Sequence, residues 1–215
     1  MTEWHWETVT PLMRKIMQIV GQSDLSTRFY LAGGTALALH LGHRRSIDLD
    51  FFSELDQVRP ETHRQVLGVL EAYHPLVVEQ AWGNLLLLVQ DLHVGFFGYG
   101  YRLVAPLLQA EGAPLAGLAD IGLMKLDALA SRASRKDFHD LYAIAQYISL
   151  RNLLDLAPLK YPSTRDFEAM VVRYMVYFDR AEQEAPPILL QTADWETVKA
   201  FFREQAVALS RGWLG

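Results

Sequence analysis

The stretch that most constrains this chain covers residues 30–52, YLAGGTALALHLGHRRSIDLDFF. It reads as strand, glycine turn, short helix, basic loop and strand. Tyr30, Leu31 and Ala32 are apolar and lead into Gly33-Gly34, a pair that reaches backbone angles closed to other residues and lets a ligand approach the main chain. Thr35 is placed to cap a helix through its hydroxyl. Ala36, Leu37, Ala38, Leu39 and Leu41 suit a short buried helix, and Gly42 suits its end. His43, Arg44, Arg45 and Ser46 then precede a segment in which Asp48 and Asp50 alternate with Ile47, Leu49 and Phe51. Alternation of period two marks a strand and puts both carboxylates on one face, their Cβ atoms roughly 6–7 Å apart. The opposite face is apolar and is expected on the core.

Two carboxylates on one strand face are a costly choice for a structural role. Like charges this close repel, and each resists ionisation unless a cation intervenes. Oxygen donors of this kind suit a hard cation, Mg²⁺ or Mn²⁺, with Asp48 and Asp50 as the metal ligands. A glycine turn opening a helix supplies backbone N–H groups to a phosphate. A Gly-Gly pair alone is usually a turn, and D-x-D alone is usually the polar face of an edge strand. Here they stand fourteen positions apart, Gly34 to Asp48, with a helix between, and together they point to a metal-dependent site for a nucleoside triphosphate.

This combination resembles the signature of the nucleotidyltransferase fold: GG or GS, a short helix, then D-h-D on the next strand. The fuller string resembles one branch, the AbiEii/AbiGii-type nucleotidyltransferase toxins of bacterial toxin–antitoxin and phage-defence (abortive infection) systems. In that branch the loop reads HR-x-S-x-D-h-D-h-F, as His43, Arg44, Ser46, Asp48, Asp50 and Phe52 do here.

A second constellation lies in residues 119–141, ADIGLMKLDALASRASRKDFHDL. Lys125, Arg132 and Lys136 are spaced by seven and four residues, which is one helix face, and Asp140 lies near it. A bound polyphosphate would relieve the repulsion of such a cationic stripe. Ser134 followed by Asp137 fits a capping box, which makes Asp137 mainly a helix cap. Lys136 and Asp140 also fit an ordinary surface i,i+4 pair. The pattern K-x2-A-x3-R-x3-KD-x2-D, met by Lys125, Ala128, Arg132, Lys136, Asp137 and Asp140, resembles the second hallmark of the AbiEii-type family, and Asp120 fits its place there.

One position departs from the wider pattern. Nucleotidyltransferase folds often carry a third carboxylate on a later strand, and the candidate strand here has Gly95 flanked by His93, with Glu79 the nearest substitute. The resemblance makes Lys125 and Asp140 the catalytic partners of Asp48 and Asp50. It implies Gly33, Gly34, Thr35, Arg44, Ser46, Arg132, Lys136 and Asp137 as nucleotide-binding residues, and an NMP moved from an NTP to an acceptor, tRNA or another RNA. A cognate antitoxin is the implied protein partner. A small-molecule acceptor, or a degenerate site serving as a binding or regulatory module, stands as the alternative.

The remaining sequence frames this reading. Helical spacing of Leu12, Ile16, Ile19 and Val20 predicts a helix over 11–20. Pro60 starts another, with Val66, Leu67, Leu70 and Tyr73 buried. Strands are expected over 76–80, 85–90 and 92–99, giving a mixed sheet of about five. Residues 100–117 read as loop, with Pro106 and Pro114, and no strand is expected beyond. Helices are expected over 120–132, 135–148, 152–156, 164–184 and 194–210. The expected fold is therefore α+β: a nucleotidyltransferase-like mixed sheet core with helices over 1–117, then a helical domain over 118–215 that completes the active site.

Composition removes other classes. The 215 residues hold no cysteine, which excludes disulfides, thiolate zinc sites and thiol catalysis. The net charge of −5 confines any polyanion site to a local patch. The first ten residues lack the pattern of a signal peptide, and the longest aliphatic run, 85–89, is far too short to span a membrane, so a cytoplasmic protein is expected. His40, His63, His74 and His139 lack ligand spacing. The five tryptophans read as core. Tyr174, Tyr177 and Phe178 do too, with a nucleobase slot as their alternative.

Overall fold

A computed structural model describes residues 3–191 and 193–211. The chain forms two compact units, the first ending at Gly117 and the second beginning at Leu118. The first unit runs α1 (Pro11–Gly21), β1 (Tyr30–Leu31), α2 (Gly33–Leu41), β2 (Asp48–Ser53), α3 (Pro60–Val69), β3 (Leu76–Ala81), β4 (Asn84–Val89), β5 (Leu92–Gly98), β6 (Leu108–Ala110) and β7 (Ala113–Leu115). Its sheet is mixed, in the order β3-β4-β5-β2-β1-β7-β6. β2 runs parallel to β5 and β1 parallel to β7, and the other neighbours are antiparallel.

Strand β2 sits at the centre because its inner face is apolar at Leu49 and Phe51, with the buried Ser53 at its end. Leu49 and Phe51 are fully buried, and Phe51 stacks on Phe96 of β5 with ring centroids 5.0 Å apart. Phe29 meets Phe96 edge-on at 5.3 Å, an arrangement favoured by the ring quadrupoles. Ile47 precedes the strand and is 69% exposed, so the apolar face begins only at Leu49.

The sheet has seven strands where five were expected. The extra pair is a hairpin turned by Glu111 (φ 51°) and Gly112 (φ 87°), the positive-φ pair that a two-residue turn needs. Pro114 made this segment read as loop, but it sits in β7 opposite Gln109, while Leu115 pairs with Leu31 of β1. Helix α1 backs the hairpin: Gln18 Nε2 donates to Glu111 Oε2 at 2.7 Å, and a Cβ at Gly21 would lie 2.6 Å from the Ala113 nitrogen. The buried stripe of α1 is Met13, Ile16, Met17 and Val20. It is rotated from the expected one because the two methionines fill the i, i+3, i+4, i+7 positions better than Leu12 and Ile19.

The second unit is helical: α4 (Leu118–Arg132), α5 (Arg135–Ile144), α6 (Leu150–Lys160), α7 (Phe167–Tyr174), α8 (Asp179–Gln183) and α9 (Trp195–Ser210). The single helix expected over 164–184 is two, broken between Met175 and Phe178. Met175 and Phe178 are buried while Val176 and Tyr177 are about half exposed, the spacing of one helix face, so the burial pattern runs on across the break. Phe178 packs on Phe138 (5.1 Å) and Trp195 (5.9 Å), so of the three aromatic residues read as core only Phe178 is buried. Trp82 is likewise exposed, at the β3–β4 turn, where Arg59 lies 5.1 Å from its ring centroid. Among the described residues, no helix is long and apolar enough to cross a membrane.

Candidate active site

The first unit brings the candidate site residues together on β1, α2, β2 and β5. Gly33 has φ +66°, a left-handed conformation that side chains resist, and helix α2 begins there. The N-cap is Ala32, with no side-chain cap, so the N–H groups of Gly33 and Gly34 open the helix without intrahelical partners. Thr35 is not the cap. Its buried hydroxyl lies 2.7 Å from the Ser46 hydroxyl and donates to the Asp48 carbonyl. Thr35 and Ser46 thus tie α2 to the entry of β2, and both are spent inside the protein. Arg44 packs directly on the turn: a Cβ at Gly34 would collide with its guanidinium.

Asp48 and Asp50 share one half-exposed face of β2. The Asp50 carboxylate stands between two glycines. A Cβ at Gly33 would lie 3.2 Å from its Oδ2, and one at Gly95 would lie 3.3 Å from its Oδ1. In the parallel pairing of β2 and β5, Asp48 faces His93 and Asp50 faces Gly95. His93 Nδ1 is 3.5 Å from Asp48 Oδ1. The place of a third carboxylate is filled by Phe97, whose ring folds back over Gly95 so that a Cβ there would strike it. Glu79 does not substitute. It lies on edge strand β3, three strands from β2 or roughly 14 Å away, and it accepts from Asn84 Nδ2 at 2.7 Å.

Two oxygen-donor side chains beside the backbone N–H groups that open α2 fit a cation that also takes ligands from a bound triphosphate, as Mg²⁺ does. Among the described residues, no cluster of three or more His, Cys, Asp or Glu side chains forms a complete metal cage.

In the second unit the cationic stripe is not one helix face. Ala133 has φ +46° and breaks the chain between α4 and α5. The break folds Asp137 of α5 back onto Lys125 and Arg132 of α4. Lys125 Nζ donates to Asp137 Oδ1 at 2.9 Å and pairs with Asp140 Oδ2 at 2.7 Å. Arg132 forks onto both Asp137 oxygens, Nε at 2.8 Å and Nη2 at 3.0 Å. Ser134 Oγ donates to Asp137 Oδ2 at 2.8 Å.

Asp137 is therefore not the backbone cap that its spacing predicts. It is a fully buried hub for two cations. Burial pushes its carboxyl up, but the charges of Lys125 and Arg132 outweigh that and hold it well below the usual carboxylate range. Asp140 is equally buried, while Lys136 is exposed. A partner missed in the sequence is Lys160 of α6, which pairs with Asp120 at 2.8 Å with both side chains fully buried. Forty residues separate them, so no local spacing announced the pair.

Residues 15–80 match the model of the family described as "Nucleotidyl transferase AbiEii toxin, Type IV TA system". The protein aq_aa25 of Aquifex aeolicus is 32% identical over 204 residues, covering 89% of this chain and 93% of that protein. Two solved structures share the fold. The nucleotidyltransferase toxin MenT4 (Rv2826c) of Mycobacterium tuberculosis gives a TM-score of 0.64 at 16% identity, over 93% of this chain and 82% of its own. JHP933 of Helicobacter pylori gives 0.57 at 21%, over 94% and 90%. The fold is thus that of nucleotidyltransferases, and by sequence this chain belongs to the AbiEii nucleotidyltransferase toxin family and is a nucleotidyltransferase.

Proposed function

We propose that this enzyme moves a nucleoside monophosphate from an NTP to an RNA acceptor, tRNA foremost, as a cytoplasmic toxin restrained by a cognate antitoxin. The observation that carries the chemistry is the placement of Asp48 and Asp50 on an open strand face, with the Asp50 carboxylate against the Gly33 turn. Support for the toxin role and the antitoxin comes from membership of the toxin family; the RNA acceptor is what the family resemblance implies.

In this reading the N–H groups of Gly33 and Gly34 receive phosphate oxygens, helped by the positive end of α2. Arg44, packed on Gly34, adds a guanidinium to the same phosphates. Thr35 and Ser46 brace the turn from inside. Asp48 and Asp50 would hold Mg²⁺, which would supply positive charge for the triphosphate and make the acceptor hydroxyl easier to ionise. The acceptor oxygen attacks the α-phosphorus, the bond to the β-phosphate breaks, and pyrophosphate leaves with the electron pair.

Of the three cations of the second unit, Arg132 keeps a half-exposed side chain that suits a phosphate, while Lys125 is buried between Asp137 and Asp140 and braces that unit from inside. Asp137 orients Lys125 and Arg132. Asp140 is buried and bonded to Lys125, which favours a positioning role for it over that of a solvent-facing base.

Incubation with each α-labelled NTP, Mg²⁺ and total RNA tests this reading. The expected result is label on RNA from one NTP, absent without Mg²⁺. Label on a small-molecule acceptor alone, or no transfer with any NTP, would overturn it.

A further inference from the structure

The open face of β2 continues past the carboxylates into a run of aromatic rings. Phe52 follows Asp50 by two residues on the same face and pairs with Phe97 of β5. Their rings are 5.2 Å apart at 32°. Both are half-buried, as are Tyr99, edge-on to Phe52 at 5.5 Å, and Tyr101, edge-on to Tyr99 at 4.9 Å. The ladder starts against the Asp50 carboxylate, because Gly95 has no side chain and the Phe97 ring occupies that space. A hydrophobic satellite cluster would have no need to reach a pair of carboxylates on an open face.

Direction across β2 decides what this face is for. Strand order puts β1, with the Gly33 turn, on one side of β2, and β5, with Phe97, on the other. Asp50 presents Oδ2 toward the turn and Oδ1 toward Gly95. In phosphoryl transfer the attacking and leaving oxygens lie roughly in line. With the leaving phosphates on the turn, the attacking group arrives from the β5 side, over Phe97. Aromatic side chains on a sheet are a recurring platform for unpaired bases of single-stranded RNA.

We propose that Phe97, seated over Gly95, and Phe52 form the stacking face for the terminal nucleobase of the RNA acceptor, holding its hydroxyl beside Asp50. This rests on the RNA-acceptor reading. It also gives a reason for glycine at position 95: any side chain there would evict the Phe97 ring.

The test is binding of a short single-stranded RNA, compared with the same strand whose 3′-terminal nucleotide lacks its base, alongside binding of a nonhydrolysable NTP. Wild type is expected to prefer the intact strand. Phe97→Leu, which keeps the site apolar, should weaken intact-strand binding roughly 5- to 150-fold, the range for one stacked base, and erase the preference. NTP affinity and melting temperature should stay unchanged, and Phe97→Tyr should restore the preference. Gly95→Ala should act like Phe97→Leu by displacing the ring.

Loss of NTP affinity in Phe97→Leu with RNA binding intact would assign the face to the donor base and overturn the proposal. RNA binding and transfer that ignore the terminal base would overturn it while leaving the RNA-acceptor reading standing. A wild-type protein that binds NTP but no RNA would remove that reading, and this inference with it.

Discussion

Replacing Asp137 by alanine separates the geometry seen here from the local role its spacing implies. A lost helix cap costs about 0.5–2 kcal/mol. The structure instead shows Asp137 fully buried and accepting from Lys125, from both forks of Arg132 and from Ser134. Removing one member of a buried ion pair costs about 3–5 kcal/mol, because the partner stays buried and uncompensated. Two features pull the loss to the lower end. Lys125 keeps Asp140 at 2.7 Å, and the Arg132 side chain is 44% exposed and regains water. The expected loss is therefore about 3 kcal/mol, which for a chain of this length lowers the melting temperature by about 6–12 °C. Urea and thermal melts of purified wild type and Asp137→Ala measure it. A loss below about 1 kcal/mol would refute the hub and restore the cap.

Three further outcomes follow from the same geometry. The folded-state carboxyl of Asp137 is depressed, so its stabilisation is complete above the unfolded carboxylate value and is lost as protons bind the native state. The stability gap between wild type and Asp137→Asn should stay level from neutral pH down to about pH 5 and shrink below about pH 4; a gap that shrinks on raising the pH instead would contradict this. Gly33→Ala forces a side chain to φ +66° and should cost about 1–2 kcal/mol in urea melts, whereas Gly34→Ala drives a Cβ into the buried Arg44 guanidinium and should weaken NTP binding by displacing it. Asp140→Asn should keep its place beside Lys125 and retain more transfer activity than Asp140→Ala, as a positioning residue would; equal and complete loss in both, with native melts, would point to direct participation of the carboxylate.

What the sequence revealed and what it hid have physical reasons. The strand–turn–helix–strand order of residues 30–52 was legible because each element carries its own local signal: a Gly-Gly break, an apolar helix and a two-residue alternation. The buried stripe of α1 is hard to phase from sequence because Met13 and Met17 compete with Leu12 and Ile19 for the same helix face. Strands β6 and β7 were missed because three-residue strands have little periodicity and Pro114 reads as a breaker. Thr35 looks like a cap in the sequence, but capping depends on where the helix begins, and the positive φ at Gly33 starts it three residues earlier, with Ala32 as the N-cap. Lys125, Arg132, Asp137 and Asp140 do assemble, but through a reversal at Ala133 that spacing along one helix does not foresee. The Asp120–Lys160 pair and the ring of Phe97 over Gly95 depend on tertiary placement alone.

The central claim is that Asp48 and Asp50 hold a metal–nucleotide complex. Titration calorimetry of a nonhydrolysable NTP, with and without Mg²⁺, tests it most directly on wild type and Asp48→Asn. Removing one of two like charges from a half-exposed strand face relieves repulsion, so the substitution should leave the melting temperature unchanged or slightly raised. The account predicts Mg²⁺-dependent binding by wild type and none by the folded variant. Equal affinity in both proteins, or wild-type binding indifferent to Mg²⁺, would contradict it.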